Sequence, residues 1–231
     1  MRLRVALAVI VGALTTLQTA AARGIAEPRF LASLTGTVTK QWSYTRTETV
    51  DGCTVTTRGK GTRAISLRSA VDSTLGARRT ASGRASFSES VRFLRETVRQ
   101  SGTKTTQASG PSTCDTSLHR LVCKRMTRVL ENRAARPLSR RLHEATFRRM
   151  TGLVPRTFVI AGCPGEPAEI RSIAGGLELA SARFRESDLF DRNVGGMTLQ
   201  GSSDVTTETL SGSATVVQHV SWRLRLRRLG G

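Results

Sequence analysis

Aromatic side chains are scarce: seven Phe, two Trp and one Tyr amount to 4% of the 231 residues, and apolar residues together reach only 38%. A thick aromatic interior is thereby excluded, and the core is expected to be modest and built largely of Val, Leu and Ala. Histidine is limited to His119, His143 and His219, and no G-x-S-x-G nucleophile elbow occurs. No Cys-x-x-Cys pair is present either. Beyond the N-terminal segment, no stretch approaches the roughly 18 to 20 consecutive apolar residues that a transmembrane helix needs. Lysine is nearly missing, with Lys40, Lys60, Lys104 and Lys124 the only ones among 36 basic residues. That skew toward arginine is what GC-rich coding produces without selection for a ligand.

What is present begins with Arg2 and Arg4, an apolar run from Val5 to Leu14, and small and polar residues ending in Ala20, Ala21 and Ala22. This is the pattern of a secretory signal peptide, with cleavage expected after Ala22. Residues 1–22 are thus read as the signal peptide and 23–231 as a single secreted β-rich domain. It is expected outside the cell or on the exterior of the envelope. Four cysteines, Cys53, Cys114, Cys123 and Cys163, entering an oxidising compartment imply two disulfides. Three pairings are open. Cys53 to Cys114 with Cys123 to Cys163 is favoured for a chain that returns to the same end of a sheet, and Cys114 to Cys123 with Cys53 to Cys163 is its rival.

Hydrophobic alternation has a period of two over much of the chain. From Leu34 to Tyr44 the even positions are mostly apolar and the odd ones are Thr, Gln and Ser, as in a half-buried strand. Asp51-Gly52 supplies the turn of a hairpin, and CTVTT begins the returning strand. RGKGT at 58–62 lacks the spacing of a phosphate-binding loop and is read as a bulge or turn. Phe87, Val91 and Phe93 share one parity, and the polar stretch 101–112 is expected to be a loop or a frayed hairpin end. At the end of the chain Val216, Gln218, Val220, Trp222, Leu224 and Leu226 alternate with Val217, His219, Ser221, Arg223, Arg225 and Arg227. This predicts a strand with Trp222 and the leucines inward and the arginines in solvent.

The middle reads differently. Leu118, Leu121, Val122, Met126, Val129 and Leu130 recur at helical spacing and predict a helix near 118–131, while Leu138, Leu142 and Ala145 suggest another start after Pro137. Leu177, Leu179 and Ser181 suggest a short strand, and GCPGEP after Ile160 a turn. Charge is uneven: 120–156 holds eleven basic residues and two acidic ones, whereas in 166–208 acids outnumber bases eight to four. Pairing between these two regions is the plain expectation.

Candidate chemistry is sparse, and no cofactor is implied. His219 lies beside Ser221 on a polar strand face, where a surface role outweighs that of a general base. Cys114, His119 and Cys123 have a zinc-knuckle-like spacing, but disulfides compete for the thiols and a fourth ligand is missing. Glu186, Asp188 and Asp191 lack the register of a calcium loop and read as a solvated, salt-bridged segment near Arg183 and Arg185.

The signal peptide, the WSYTRTETVDGC hairpin leading to RGKGT, the Cys-Pro turn and the last strand VSWRLRLRR together resemble a group of secreted β-rich proteins of GC-rich actinobacteria. The likeness covers both ends of the mature chain, and it implies a secreted β-sandwich-like domain with no activity or catalytic residues to carry over. The fold expected is mainly β, an antiparallel sandwich. The leading function is that of a non-enzymatic cell-envelope or extracellular domain that binds anionic polymers, such as those of the cell wall, through Arg140, Arg141, Arg148 and Arg149. Guanidinium groups suit that task because they donate paired hydrogen bonds to oxyanions. A secreted hydrolase and a purely structural extracellular domain are the alternatives. Nucleic acid is disfavoured as a partner, since export removes it.

Overall fold

The computed structural model describes residues 27–79, 85–87, 89–141, 144–147, 160–164, 176–208 and 214–230. The signal peptide expected at 1–22 lies outside them. The chain is mainly β, as its alternation predicts. Its strands are β1 (Arg29–Val50), β2 (Cys53–Ser69), β3 (Ser73–Arg79), β4 (Ala85–Phe87), β5 (Val91–Ser109) and β6 (His119–Ala135), then β7 (Pro137–Arg141), β8 (Glu144–Phe147), β9 (Ala182–Arg183), β10 (Gly196–Glu208) and β11 (Ala214–Arg228). An antiparallel sheet in the order β10-β11-β1-β2-β5-β6, with β3 attached to β1 and β4 to β3, curls into a half-barrel; β7, β8 and β9 form a second, three-stranded sheet.

The inner face of the large sheet carries the core. Leu34 and Val38 of β1, Leu67 of β2, Leu94 of β5 and Val220, Trp222, Leu224 and Leu226 of β11 are buried there with Ala145 of β8, Ala182 of β9, Leu177 and Leu189. The small sheet, a 3-10 turn at Leu177–Leu179 and a five-residue helix at Glu186–Phe190 thus supply the opposing layer. Trp222 is fixed by its Nε1–H, which donates to the Ala180 carbonyl at 2.9 Å. The last strand is therefore sorted as its sequence predicts, with Arg223, Arg225 and Arg227 exposed on the other face. Arg228 is a different case. Its guanidinium reaches back to the carbonyls of Leu189, Asp191 and Val194 at 2.8, 2.8 and 2.9 Å and stands 5.0 Å over the Phe30 ring.

The Asp51-Gly52 hairpin forms as read, with both φ angles positive (50° and 76°), as a two-residue turn of this hand demands. From Thr45 to Val50 every residue of β1 is exposed, so the β1–β2 hairpin projects beyond the core. The Cys53–Cys114 disulfide lies at its tip, and Cys123–Cys163 ties the 160–164 segment to β6.

Several expectations are corrected. RGKGT is neither bulge nor turn but continuous strand in β2: the Trp42 ring lies over Gly61 and the Tyr44 ring over Gly59, leaving no room for a Cβ. The stretch 101–112 is strand up to Ser109, because its β-branched threonines sit between two partners, β2 and β6, that satisfy its backbone. The helix expected at 118–131 is strand β6. Its helical spacing arises because a bulge between the Gln100 and Gly102 pairings switches the parity of the strand: Leu121 and Met126 fall on one face, Val122 and Val129 on the other. Likewise Pro137 opens strand β7 rather than preceding a helix, a position where its missing N–H is tolerated. Phe93 leaves the Phe87 and Val91 face because the chain bulges there with φ 52°, and Leu94 takes the inward place. The strand expected at 177–181 is the 3-10 turn.

Candidate anion-binding face

The outer face of the large sheet is built by the odd residues of β1 and their partners. Register sets Arg223, Thr35, Arg68 and Arg95 side by side across β11, β1, β2 and β5. The next row holds Ser221, Thr37, Ser66 and Thr97, and two of its hydroxyls connect, Thr37 Oγ1 and Ser221 Oγ being 2.8 Å apart. Along β11, Arg225 and Arg227 continue the line at intervals of about 7 Å, the two-residue rise of a strand.

Two depressions lie along this line. One, of 590 Å³, has hydroxyl walls from Thr35, Thr37, Ser66, Ser202 and Ser221 with Arg223 at its edge. The other, of 520 Å³, is bordered by Ser33, Thr198, Arg225, Arg227 and one acid, Asp72. Hydroxyls that donate and accept, beside guanidiniums that donate in pairs, form a surface suited to anionic, hydroxyl-bearing chains.

The arginines singled out by sequence fare differently. Arg140 and Arg141 lie on β7, in the small sheet; Arg148 and Arg149 fall outside the described residues. The arginines that register gathers, Arg68, Arg95 and Arg223, come from three strands far apart in sequence. Of these, only Arg223 had a local signal in the sequence, the solvent-facing parity of Arg223, Arg225 and Arg227.

A buried polar band also escaped the sequence reading. Lys40, Arg63, Gln100 and Gln218 are adjacent across the inner face and buried. Arg63 donates through Nε and Nη2 to Gln100 Oε1 at 3.3 and 3.1 Å, and Gln100 Nε2 donates to the Pro164 carbonyl at 2.8 Å. Lys40 and Gln218 occupy the inward parity of their strands, between apolar neighbours, which was the available clue. Farther along β5, Glu96 is buried 3.9 Å from the Arg133 Nε. Burial raises its carboxyl to about 7, against the opposing pull of Arg133.

The other candidates resolve as follows. His219 Nδ1 pairs with Asp204 across β11 and β10, while the Ser221 hydroxyl bonds Thr37. The arrangement therefore has an oriented imidazole without a hydroxyl committed to it. Cys114 and Cys123 are in different disulfides, so the zinc-knuckle spacing holds no thiolate pair. Asp115, held at about 2 by hydrogen bonds from Ser117 and His119, closes a surface turn. Glu186 is not solvated: it lies buried at the start of the short helix, accepts the Ala85 N–H at 2.6 Å, and faces Arg79 at 3.7 Å rather than Arg183 or Arg185. The ion pairs Arg133–Glu96 and Arg95–Glu131 link β6 to β5, a nearer source of acid for the basic middle than 166–208.

No family model, curated protein or solved structure matches the chain.

Proposed function

We propose that the chain is a non-enzymatic domain exported to the cell envelope or the extracellular medium, like the actinobacterial group it resembles, and that it binds anionic polymers through the outer face of its sheet. The observation that carries this reading is the row Arg223–Thr35–Arg68–Arg95, flanked by Arg225 and Arg227 and by a row of hydroxyls. Cations on a rigid sheet stay gathered without the entropy cost of ordering a loop around each ligand. Two disulfides suit an oxidising location, and no helix among the described residues is long and apolar enough to cross a membrane. Phosphate-bearing wall polymers fit best, since each repeating oxyanion can meet a guanidinium fork.

The test is retention on an immobilised phosphate-bearing wall polymer under a salt gradient. The protein is expected to elute only at raised salt, and Arg223→Glu with Arg68→Glu to move elution sharply earlier, because opposite-sign contacts at an exposed face are screened. Elution of the unaltered protein at low salt would remove the reading.

A further inference from the structure

The sheet ends in two unlike edges. Among the described residues β6 pairs only with β5, and β10 only with β11. Of the nine exposed large apolar residues among the described ones, five, Leu118, Leu121, Val122, Met126 and Val129, lie on β6 or directly before it. An edge strand with exposed apolar side chains and no strand partner beyond β5 among the described residues can add a further strand. Its charged residues are mostly cationic, Arg120, Lys124, Arg125, Arg128 and Arg133 against Glu131. β10 contains no Lys or Arg, and its charges are Asp204 and Glu208.

We infer that the protein self-associates head to tail, with β6 of one copy pairing to β10 of a second copy. Direction favours this pairing. Every neighbouring pair from β10 to β6 is antiparallel, and the path holds six strands, so its two ends run oppositely. A copy related by rotation about the strand direction, or by translation across it, therefore offers β10 antiparallel to β6 without being inverted. Lengths agree as well, at 17 and 13 residues. Pairing β6 with another β6 would instead set cations against cations, which is unfavourable between facing strands. Unlike edges make a heterologous contact, which closes into a ring or runs on according to the rotation between copies. The outer faces stay on one side, so the arginine rows continue from copy to copy.

Sedimentation of the purified protein at low salt, without polymer, tests this over concentrations up to about 100 µM, a range that captures even weak assembly. The unaltered protein should shift to larger species as concentration rises. Lys124→Glu with Arg125→Glu, and separately Asp204→Lys with Glu208→Lys, should each weaken association about tenfold or more. Mixing the two variants should restore it, because each then offers the edge the other lacks. Amide exchange on the unaltered protein gives a second readout: β6 and β10 should gain protection together with concentration. A protein that stays monomeric throughout overturns the inference. So does an Asp204→Lys/Glu208→Lys variant that still associates alone, the result expected of β6–β6 pairing.

Discussion

Replacing Arg228 by alanine leaves the carbonyls of Leu189, Asp191 and Val194 without the guanidinium that joins them. Hydrogen bonds involving a charged group contribute about 1.5–3 kcal/mol, so a loss near 2 kcal/mol is expected in urea unfolding, with faster amide exchange in 186–195. The same change at its neighbour Arg227, which faces solvent, should leave stability nearly unaltered. Glu96 gives a pH signature. Its carboxyl titrates near 4.5 when unfolded and at about 7 in the fold. Below the lower value both states are protonated and no penalty exists. Between the two values the folded state alone holds the proton, so stability falls as pH rises, and above the upper value the burial penalty is complete. Glu96→Gln should flatten that fall and be more stable than the unaltered protein at about pH 8. Equal urea midpoints for the two proteins at both about pH 4.5 and about pH 8 would contradict this.

At the scale of elements, strands buried on one face could be read directly, because period-two alternation survives wherever one side is wet. β1 and β11 are such strands, and so is the Asp51-Gly52 turn between β1 and β2, whose φ angles few residue pairs adopt. β6 resembles a helix in sequence because it lies at the edge with apolar residues on both faces and carries one extra residue in its middle, which breaks the period of two just where the register with β5 shifts. RGKGT failed for a related reason, since its glycines answer rings on the neighbouring strand. The Cys53–Cys114 bridge closes a separation of 61 residues where the β1–β2 hairpin has outrun the core. Its removal by Cys53→Ala with Cys114→Ala should lower stability by about 4 kcal/mol on the loop-entropy account. Protection should be lost first in 45–58 and 103–109. An equal loss around Leu34 and Trp222 would show that the bridge supports the core as well.

Over the whole molecule the two faces of one sheet divide the work. The inner face holds Trp222, the aliphatic core and the polar band of Lys40, Arg63, Gln100 and Gln218; the outer face holds hydroxyls and Arg68, Arg95, Arg223, Arg225 and Arg227. The candidate site was only half legible in the sequence. Local alternation shows that Arg223, Arg225 and Arg227 face water, but which arginines join them depends on the register of strands more than a hundred residues away, and charge density alone points to 140–149 instead. The direct measurement is arginine-selective chemical labelling, read by mass spectrometry, with and without a phosphate-bearing wall polymer. Protection of Arg68, Arg223, Arg225 and Arg227 together, with Arg183 and Arg192 labelled as before, is the predicted result. Polymer binding that leaves those four fully reactive, or that protects only 140–149, would contradict the assignment of the outer face.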